Sequence, residues 1–222
     1  MAYPQSIGSV SHDRLRAGCT KPEVTRAGII LANELALTRG AVLGRVAGAA
    51  TAAAAAGNTG NGVMGAVTVG RHVQDGKQYR VVITAASANA GTFELRAPDG
   101  SLVKTGTVAV AFTSDHLNFT LADGATDFVV GDTFIISVAM GTKYRHVNSA
   151  NTDGSAIAQG VLLADVAASV SDTSHGVAIA FEGEFNEAAL TFGGTDTLAM
   201  HRGRLHDIGC YLRKSQDVNG LG

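Results

Sequence analysis

The middle of the chain consists of short stretches in which apolar and polar residues alternate, and this pattern constrains the fold most strongly. Tyr79, Val81 and Ile83 fall on one side of such a stretch, and Phe93 and Leu95 on one side of the next. Three more triplets with this period are Val108, Val110 and Phe112; Leu117, Phe119 and Leu121; and Phe134, Ile136 and Val138. A period of two is typical of half-buried strands, and no helical period interrupts it. The pattern predicts about six short strands.

Turn residues separate these stretches. Pro98, Asp99 and Gly100 lie between two of them and supply a fixed φ, a side-chain acceptor and a tolerated positive φ. Such a triplet favours a hairpin, which joins neighbouring strands in antiparallel order. We therefore predict that residues 58–143 form an antiparallel β-sandwich, long enough to fold by itself with modest stability.

An alanine-rich segment precedes this block. Residues 46–62 read VAGAATAAAAAGNTGNG. The Gly, Thr and Asn residues around the alanines favour a linker or loop over a helix. The glycines at 57–62 lack the Lys-Ser/Thr pair and the preceding strand of a phosphate-binding loop, so a flexible linker is the better interpretation.

The outer parts of the chain predict further strands and one helix. Apolar runs at 28–31, 41–43, 156–166 and 176–185 are bounded by glycine-containing loops, which indicates strands. Leu198, Leu205 and Ile208 recur near helical spacing. Thr195 or Asp196 can cap the start of this helix, Gly209 can end it, and residues 210–212 are expected to form a last strand.

Composition excludes several classes of function. The 222 residues carry a formal net charge of −2, which argues against binding nucleic acid or an anionic membrane by bulk electrostatics. No stretch reaches the roughly 18 to 20 consecutive apolar residues that span a bilayer. The first ten residues lack the charged start and apolar run of a signal peptide, so we expect a protein that is used without export. Cys19 and Cys210 are predicted to be reduced, structural cysteines.

Catalytic and metal motifs are scarce. Of the seven histidines, only His201 and His206 are close enough in sequence to suggest a site. They are five residues apart, and on a helix this spacing points their side chains to different faces. The histidines are therefore predicted to lie on the surface and not to bind metal. Asp115 and His116 are adjacent, so they point to opposite faces of a strand. No nucleophile elbow, zinc-binding helix or Walker loop is present.

Two groups of carboxylates are candidate sites. Glu182 and Glu184 would share one face of a regular strand, and we interpret them as solvated residues, not as an acid and base pair. Asp123, Asp127 and Asp132 could hold calcium, but their spacing matches no known calcium loop, so a calcium site is disfavoured. No catalytic residue, metal ligand or cofactor is predicted. A Ser-His-Asp site assembled from separate strands stays open at this point.

The outer segments carry a resemblance. Four segments in this order resemble tailed-bacteriophage head decoration proteins related to phage lambda protein D. They are GAVLGRV at 40–46, DGSAIAQGVLLADV at 153–166, VAIAFEGEFNEAALTF at 177–192 and GCYLR at 209–213. The resemblance covers 24–46 and 153–213, and in small family members the two parts lie close in sequence. It implies a small β-rich, β-clip-like core with one C-terminal helix, formed by 21–57 plus 144–222 and interrupted by the sandwich at 58–143.

The resemblance also implies a function without catalysis. Such proteins form homotrimers on the outer surface of an expanded capsid, where they clamp the major capsid protein against the pressure of packaged DNA. It implies no cofactor, no nucleic acid and no membrane, with the host cytoplasm as the place of assembly and the virion as the final location. Residues 1–20 would be a capsid-binding arm that adds a strand to a coat-protein sheet. The expected contacts are Tyr3, Pro4, Ile7, Val10, His12 and Leu15.

Two alternatives remain beside this one. The first is a surface-exposed adhesion module in which the sandwich binds glycans, although the absence of Trp counts against strong sugar stacking. The ligand of the sandwich is left unassigned. The second is a hydrolase with an unrecognised site, which would show a titratable cluster with perturbed pKa values in a cleft.

Overall fold

The computed structural model describes residues 14–173 and 176–214 and shows a mainly β fold with one α-helix near the C-terminal end. The strands of the described residues, in chain order, are β1 Val24–Ile30, β2 Val42–Val46, β3 Ala50–Ala54, β4 Val63–Met64, β5 Thr68–Val69, β6 Gln78–Ser87, β7 Ala90–Arg96, β8 Leu102–Thr107, β9 Ala111–Phe112, β10 Leu117–Ala122, β11 Thr133–Val138, β12 Lys143–His146, β13 Ala158–Leu162, β14 Val177–Asn186 and β15 Cys210–Arg213. A 3-10 turn spans Glu187–Ala189, and the helix α1 spans Leu198–Asp207. No described helix is long and apolar enough to cross a membrane.

The outer parts of the chain form a small barrel. Its strands follow the order β1-β12-β2-β13-β14, and β14 pairs back with β1, which closes the ring. Strand β15 extends the far end of β14 in parallel. Leu43, Leu162 and Ile179 are completely buried inside the barrel. The strands predicted for the outer segments are therefore confirmed.

Strands β3 to β11 form the sandwich. One sheet has the order β3-β11-β6-β7-β8, the other has the order β4-β10-β5 with β9 also on β10, and every pairing is antiparallel. The two sheets share one apolar core. At its centre the ring of Phe93 lies 5.4 Å from that of Phe112 and 5.7 Å from that of Phe119. The predicted antiparallel sandwich is thus observed.

The alanine-rich segment is a strand, so the linker prediction is wrong there. Residues 50–54 pair with β11, from Ala50 opposite Val138 to Ala54 opposite Phe134. Alanine has a low strand propensity, but β11 would otherwise leave a row of backbone groups without partners, and pairing satisfies them. The sandwich sheet thus starts on the N-terminal side of residue 58, while Lys143 already belongs to the barrel strand β12.

The glycine-rich loop that follows is also ordered, contrary to the flexible linker predicted. The side-chain nitrogen of Asn58 donates to the carbonyl of Thr133 at 2.9 Å, and its side-chain oxygen accepts from the amide of Thr133 at 2.8 Å. A Cβ atom at Gly60 or Gly62 would collide with the ring of Phe128, at 2.5 and 2.3 Å respectively. Glycine is needed here because the loop lies directly against that buried ring.

The alternation near Val110 was misleading. Val108 and Phe112 are buried as predicted, but Val110 is 55% exposed. Ala109 has a φ of +62°, and the amide of Val110 donates to the carbonyl of Thr107, which makes this segment a tight turn. A left-handed residue interrupts the alternation that a continuous strand would have kept.

The predicted helix and final strand are confirmed. Helix α1 is followed by Gly209, whose φ is +84°, the conformation typical of a glycine that ends a helix. Thr197 occupies the N-cap position, without a side-chain hydrogen bond. Asp196, one of the two predicted caps, makes other contacts, described below.

Candidate functional site

The root of the proposed arm is the first candidate site. Five of the six predicted contacts, Tyr3, Pro4, Ile7, Val10 and His12, lie outside the described residues. Leu15 is described, and its side chain is only 2% exposed in the barrel core, in the cluster that contains Phe185. A buried side chain presents no surface to a partner, so Leu15 anchors this segment to the barrel.

Backbone hydrogen bonds fix the same segment. The amide of Asn186 donates to the carbonyl of Leu15 at 2.8 Å, and its side-chain nitrogen donates to the carbonyl of Arg14 at 3.0 Å. The amide of Ala17 donates to the carbonyl of Glu184 at 3.0 Å. The point from which residues 1–13 continue is therefore set by the end of β14.

Glu184 reinforces this anchor. Its carboxylate accepts from the hydroxyl of Thr20 at 2.9 Å, from the amide of Thr20 at 3.1 Å and from the Arg213 guanidinium at 2.6 Å. The hydrogen bond from Arg213 is the main reason that the pKa of Glu184 is lowered, and those from Thr20 add to it. Glu184 thus connects the N-terminal segment, β14 and β15.

The prediction that Glu182 and Glu184 are both solvated is wrong for Glu184. Glu182 is exposed, whereas the Glu184 side chain is 2% exposed. Gly183, between them, has a φ of +152°, which breaks the regular alternation of the strand. A glycine irregularity of this kind cannot be located from a period-two pattern.

A Ser, Asp and His cluster lies where the barrel meets α1. The Ser149 hydroxyl donates to Asp196 Oδ1 at 2.6 Å, and His201 Nε2 lies 2.8 Å from Asp196 Oδ2. Burial raises the pKa of Asp196, but hydrogen bonds from Ser149 and His201 outweigh it, and the pKa lies below the ordinary value. The serine proton goes to the carboxylate, whereas a nucleophilic serine needs the histidine to take it. The cluster therefore fastens residue 149 to the helix.

His201 itself departs from the prediction of surface histidines. The residue is 5% exposed, and its ring stacks on that of Phe192 with centroids 5.3 Å apart. Helical spacing alone did not show that Phe192 and Asp196 would enclose it.

Asp132, considered above as a calcium ligand, holds the glycine-rich loop. Its buried carboxylate accepts from the amides of Thr59 and Gly60, each at 2.9 Å, and from that of Val129 at 3.1 Å. Burial raises its pKa, and the three amides more than offset this, so that the pKa is lowered. Within residues 14–173 and 176–214, no group of three or more His, Cys, Asp or Glu side chains could hold a metal ion.

Both cysteines are free thiols. The predicted structural role fits Cys210, which is buried in the barrel core, but is wrong for Cys19, which is exposed. Burial raises the pKa of the Cys210 thiol to about 12. A thiol with such a pKa is unreactive at neutral pH, which agrees with a packing role.

The sandwich contains a polar cleft of about 690 Å³ that sequence reasoning missed. In its wall, the amide of Gln74 donates to the Tyr79 hydroxyl at 2.8 Å, and that hydroxyl lies 2.9 Å from His116 Nδ1. Asp115 lines the same cleft and pairs with Arg71 at 3.2 Å, so the expectation that Asp115 and His116 point to opposite faces of a strand is wrong; both lie in the bend before β10. The alternating pattern places Tyr79 in the core, but its partner His116 lies 37 residues further on, and no local signal connects them.

Comparison with known proteins identifies the class. The profile of the bacteriophage lambda head decoration protein D family matches residues 16–202, which is most of the chain. Such a match defines a structural protein of bacteriophage heads; the family is not an enzyme family. The chain belongs to the bacteriophage lambda head decoration protein D family. Membership implies association with the capsid and a location in the virion.

Other comparisons add little. No curated protein sequence matches the chain. Among solved structures, FlgL of Xanthomonas campestris is 25% identical over 46% of this chain and 34% of its own, with a TM-score of 0.34. The flagellar hook junction protein FlgK of Burkholderia pseudomallei is 22% identical over 59% of this chain and 23% of its own, also with a TM-score of 0.34. The chain spans only about a third and a quarter of these proteins, and likenesses this weak carry no argument.

Proposed function

We propose that this protein binds the outer surface of an expanded phage capsid as a homotrimer and stabilises the shell against the pressure of packaged DNA. The observation that carries this proposal is the family match over residues 16–202. The protein would be made in the host cytoplasm and join the major capsid protein during assembly. Many copies of a weak contact on a closed lattice give a large total stabilisation, so no catalytic group is required.

The first thirteen residues are proposed to make the capsid contact. Asn186 holds Arg14 and Leu15 at the end of β14, so the arm starts from a fixed point on the barrel. Thirteen residues in an extended conformation reach about 45 Å, enough to cross onto a neighbouring subunit. The proposed contacts are the side chains of Tyr3, Pro4, Ile7, Val10 and His12. Addition of a strand to a coat-protein sheet would supply the backbone hydrogen bonds.

Deletion of residues 1–13 tests this contact. The shortened protein keeps Leu15 and the bonds from Asn186, so we expect it to fold and to form trimers as the intact protein does. It should fail to sediment with expanded capsids at concentrations that saturate binding of the intact chain. Light scattering measures the trimer, and co-sedimentation measures capsid binding.

Deletion of residues 215–222 is the matched control, because it shortens the chain at the opposite end and leaves the proposed arm intact. This variant should bind capsids normally. If the variant lacking residues 1–13 co-sediments at the stoichiometry of the intact protein, the arm is not the contact. If the intact protein is a monomer that ignores capsids, the proposed function itself is wrong.

We also propose that the sandwich is an insertion into a hairpin of the barrel. The chain leaves the barrel after Val46 and returns at Lys143, and these two residues are opposite each other in the β2–β12 pair. A pair of this kind ordinarily needs only a two-residue turn. Each part also has an apolar core of its own.

Excision of the sandwich is therefore expected to leave a folded barrel. Residues 47–142 would be replaced by Asn-Gly, which joins Val46 to Lys143 by a favoured hairpin turn. We expect a soluble protein with β-type circular dichroism that binds expanded capsids as the intact chain does. An unfolded product would show that the barrel depends on the sandwich, for example through the bond of 2.9 Å from Arg45 to Asp75.

A further inference from the structure

The polar cleft of the sandwich is held in a fixed shape. The amide of Gly70 donates to the carbonyl of His116, and the amide of His72 donates to the carbonyl of Asp115, each at 2.8 Å. These bonds bring the rings of His72 and His116 into an edge-to-face contact, with centroids 6.4 Å apart and an angle of 74° between the ring planes. Lys104 of β8 and the hydroxyl residues Ser101 and Thr113 also line the cleft.

The hydrogen bonds of Tyr79 determine which proton His116 carries. The Tyr79 oxygen accepts from the amide of Gln74, so its own proton is available for His116 Nδ1. Burial lowers the pKa of His116, and the proximity of His72 adds to this, which favours the neutral ring. A neutral imidazole that accepts at Nδ1 carries its hydrogen on Nε2. No described residue bonds Nε2, which leaves it as a donor for a ligand.

Lys104 gives the cleft a cationic donor. Lys104 Nζ donates to the carbonyl of Thr113 at 2.7 Å and has no carboxylate partner among the described residues. Asp115, which also lines the cleft, is compensated by its ion pair with Arg71. The Asp99 carboxylate keeps its charge but is turned to the amide and hydroxyl of Ser101, from which it accepts. The donors that the cleft offers to a ligand are therefore Lys104 and the ring N–H groups of its two histidines.

We infer that this cleft binds an acidic sugar, whose carboxylate or sulfate is held by Lys104, His72 and the Nε2–H of His116. The volume of about 690 Å³ lies in the range of small-molecule sites and exceeds what a bare inorganic ion fills. Ser101 and Thr113 suit the hydroxyls of a sugar. A nucleic acid is disfavoured as the ligand. Its binding requires several basic residues along the phosphate backbone, whereas the cleft has one unpaired lysine and the protein has a net charge of −2.

Titration calorimetry of the intact protein with four probes tests this inference. The probes are a hexagalacturonate, a heparin hexasaccharide, the neutral maltohexaose and a single-stranded hexanucleotide. We expect saturable binding of at least one acidic sugar and none of maltohexaose. Lys104→Met and His72→Gln change exposed side chains, and each should weaken binding by about tenfold, the typical loss for a hydrogen bond to a charged group.

Lys77→Met is the matched control, because it removes an exposed lysine of the same sandwich away from the cleft, and it should leave affinity unchanged. Equal binding of maltohexaose would overturn the inference, because the site would then recognise hydroxyls and not an anion. Binding of the oligonucleotide alone, binding of no probe, or acidic-sugar affinity that is unchanged in Lys104→Met would each overturn it as well.

Discussion

Gly44→Ala is expected to lower the free energy of unfolding by about 3 kcal/mol. Gly44 lies in β2, between β12 and β13, and a Cβ atom there would lie 1.9 Å from the backbone carbonyl oxygen of Ser155. The colliding atom belongs to the backbone, so no side-chain rotation relieves the clash. The barrel would have to separate two paired segments. Urea denaturation monitored by circular dichroism measures the loss.

Gly203→Ala is the matched control, because it is the same substitution in an open position. Gly203 lies within α1, and a Cβ atom there meets nothing within 4 Å. Alanine should stabilise the helix by about 0.5 to 1 kcal/mol. Opposite signs for the two variants would confirm that crowding, and not the loss of glycine as such, determines the effect. A Gly44→Ala protein as stable as the parent would contradict the close packing of β2 against the backbone of Ser155.

Asp132→Ala is the second substitution with a large expected effect, a loss of about 3 kcal/mol or more. It leaves the amides of Thr59, Gly60 and Val129 without their acceptor, in a place where Asp132 itself is only 3% exposed. The loop should then detach from Phe128 and expose the end of the sandwich core. Urea denaturation gives the magnitude, and hydrogen exchange at the Thr59 and Gly60 amides locates it.

The lowered pKa of Asp132 gives this prediction a pH dependence. The carboxylate contributes stability at any pH above its ordinary value in the unfolded chain, near 3.9. That contribution is lost as the pH falls through the lower pKa of the folded state. The difference in unfolding free energy between the parent and Asp132→Ala should therefore narrow in acid.

Asp127→Ala is the control, because it removes a single hydrogen bond from the exposed amide of Asn89, and it should cost less than about 1 kcal/mol. A gap that stays constant into acid would contradict the role assigned to the charge.

Alternation predicted the sandwich core because burial there depends on strand faces alone. Tyr79, Val81, Ile83, Phe93 and Leu95 are all nearly inaccessible, as their spacing required. The pattern failed where backbone geometry or a distant partner decides. Ala109 turns the chain by adopting a positive φ, and residues 50–54 become a strand only because β11 lies beside them.

The polar sites were harder to anticipate for the same reason. Glu184 is buried because Thr20 and Arg213, which lie 164 and 29 residues away, both reach it. The Tyr79–His116 contact likewise joins strand β6 to the bend before β10, 37 residues further on. The family resemblance succeeded because it rested on several segments in a fixed order, which depends on no single contact.

The most direct test of the proposed function is cryo-electron microscopy of expanded capsids incubated with the intact protein. The proposal predicts three-fold density on the outer surface, into which three copies of the barrel fit, with residues 1–13 in contact with the major capsid protein. Capsids that remain bare at saturating protein, or density without three-fold symmetry, would contradict it.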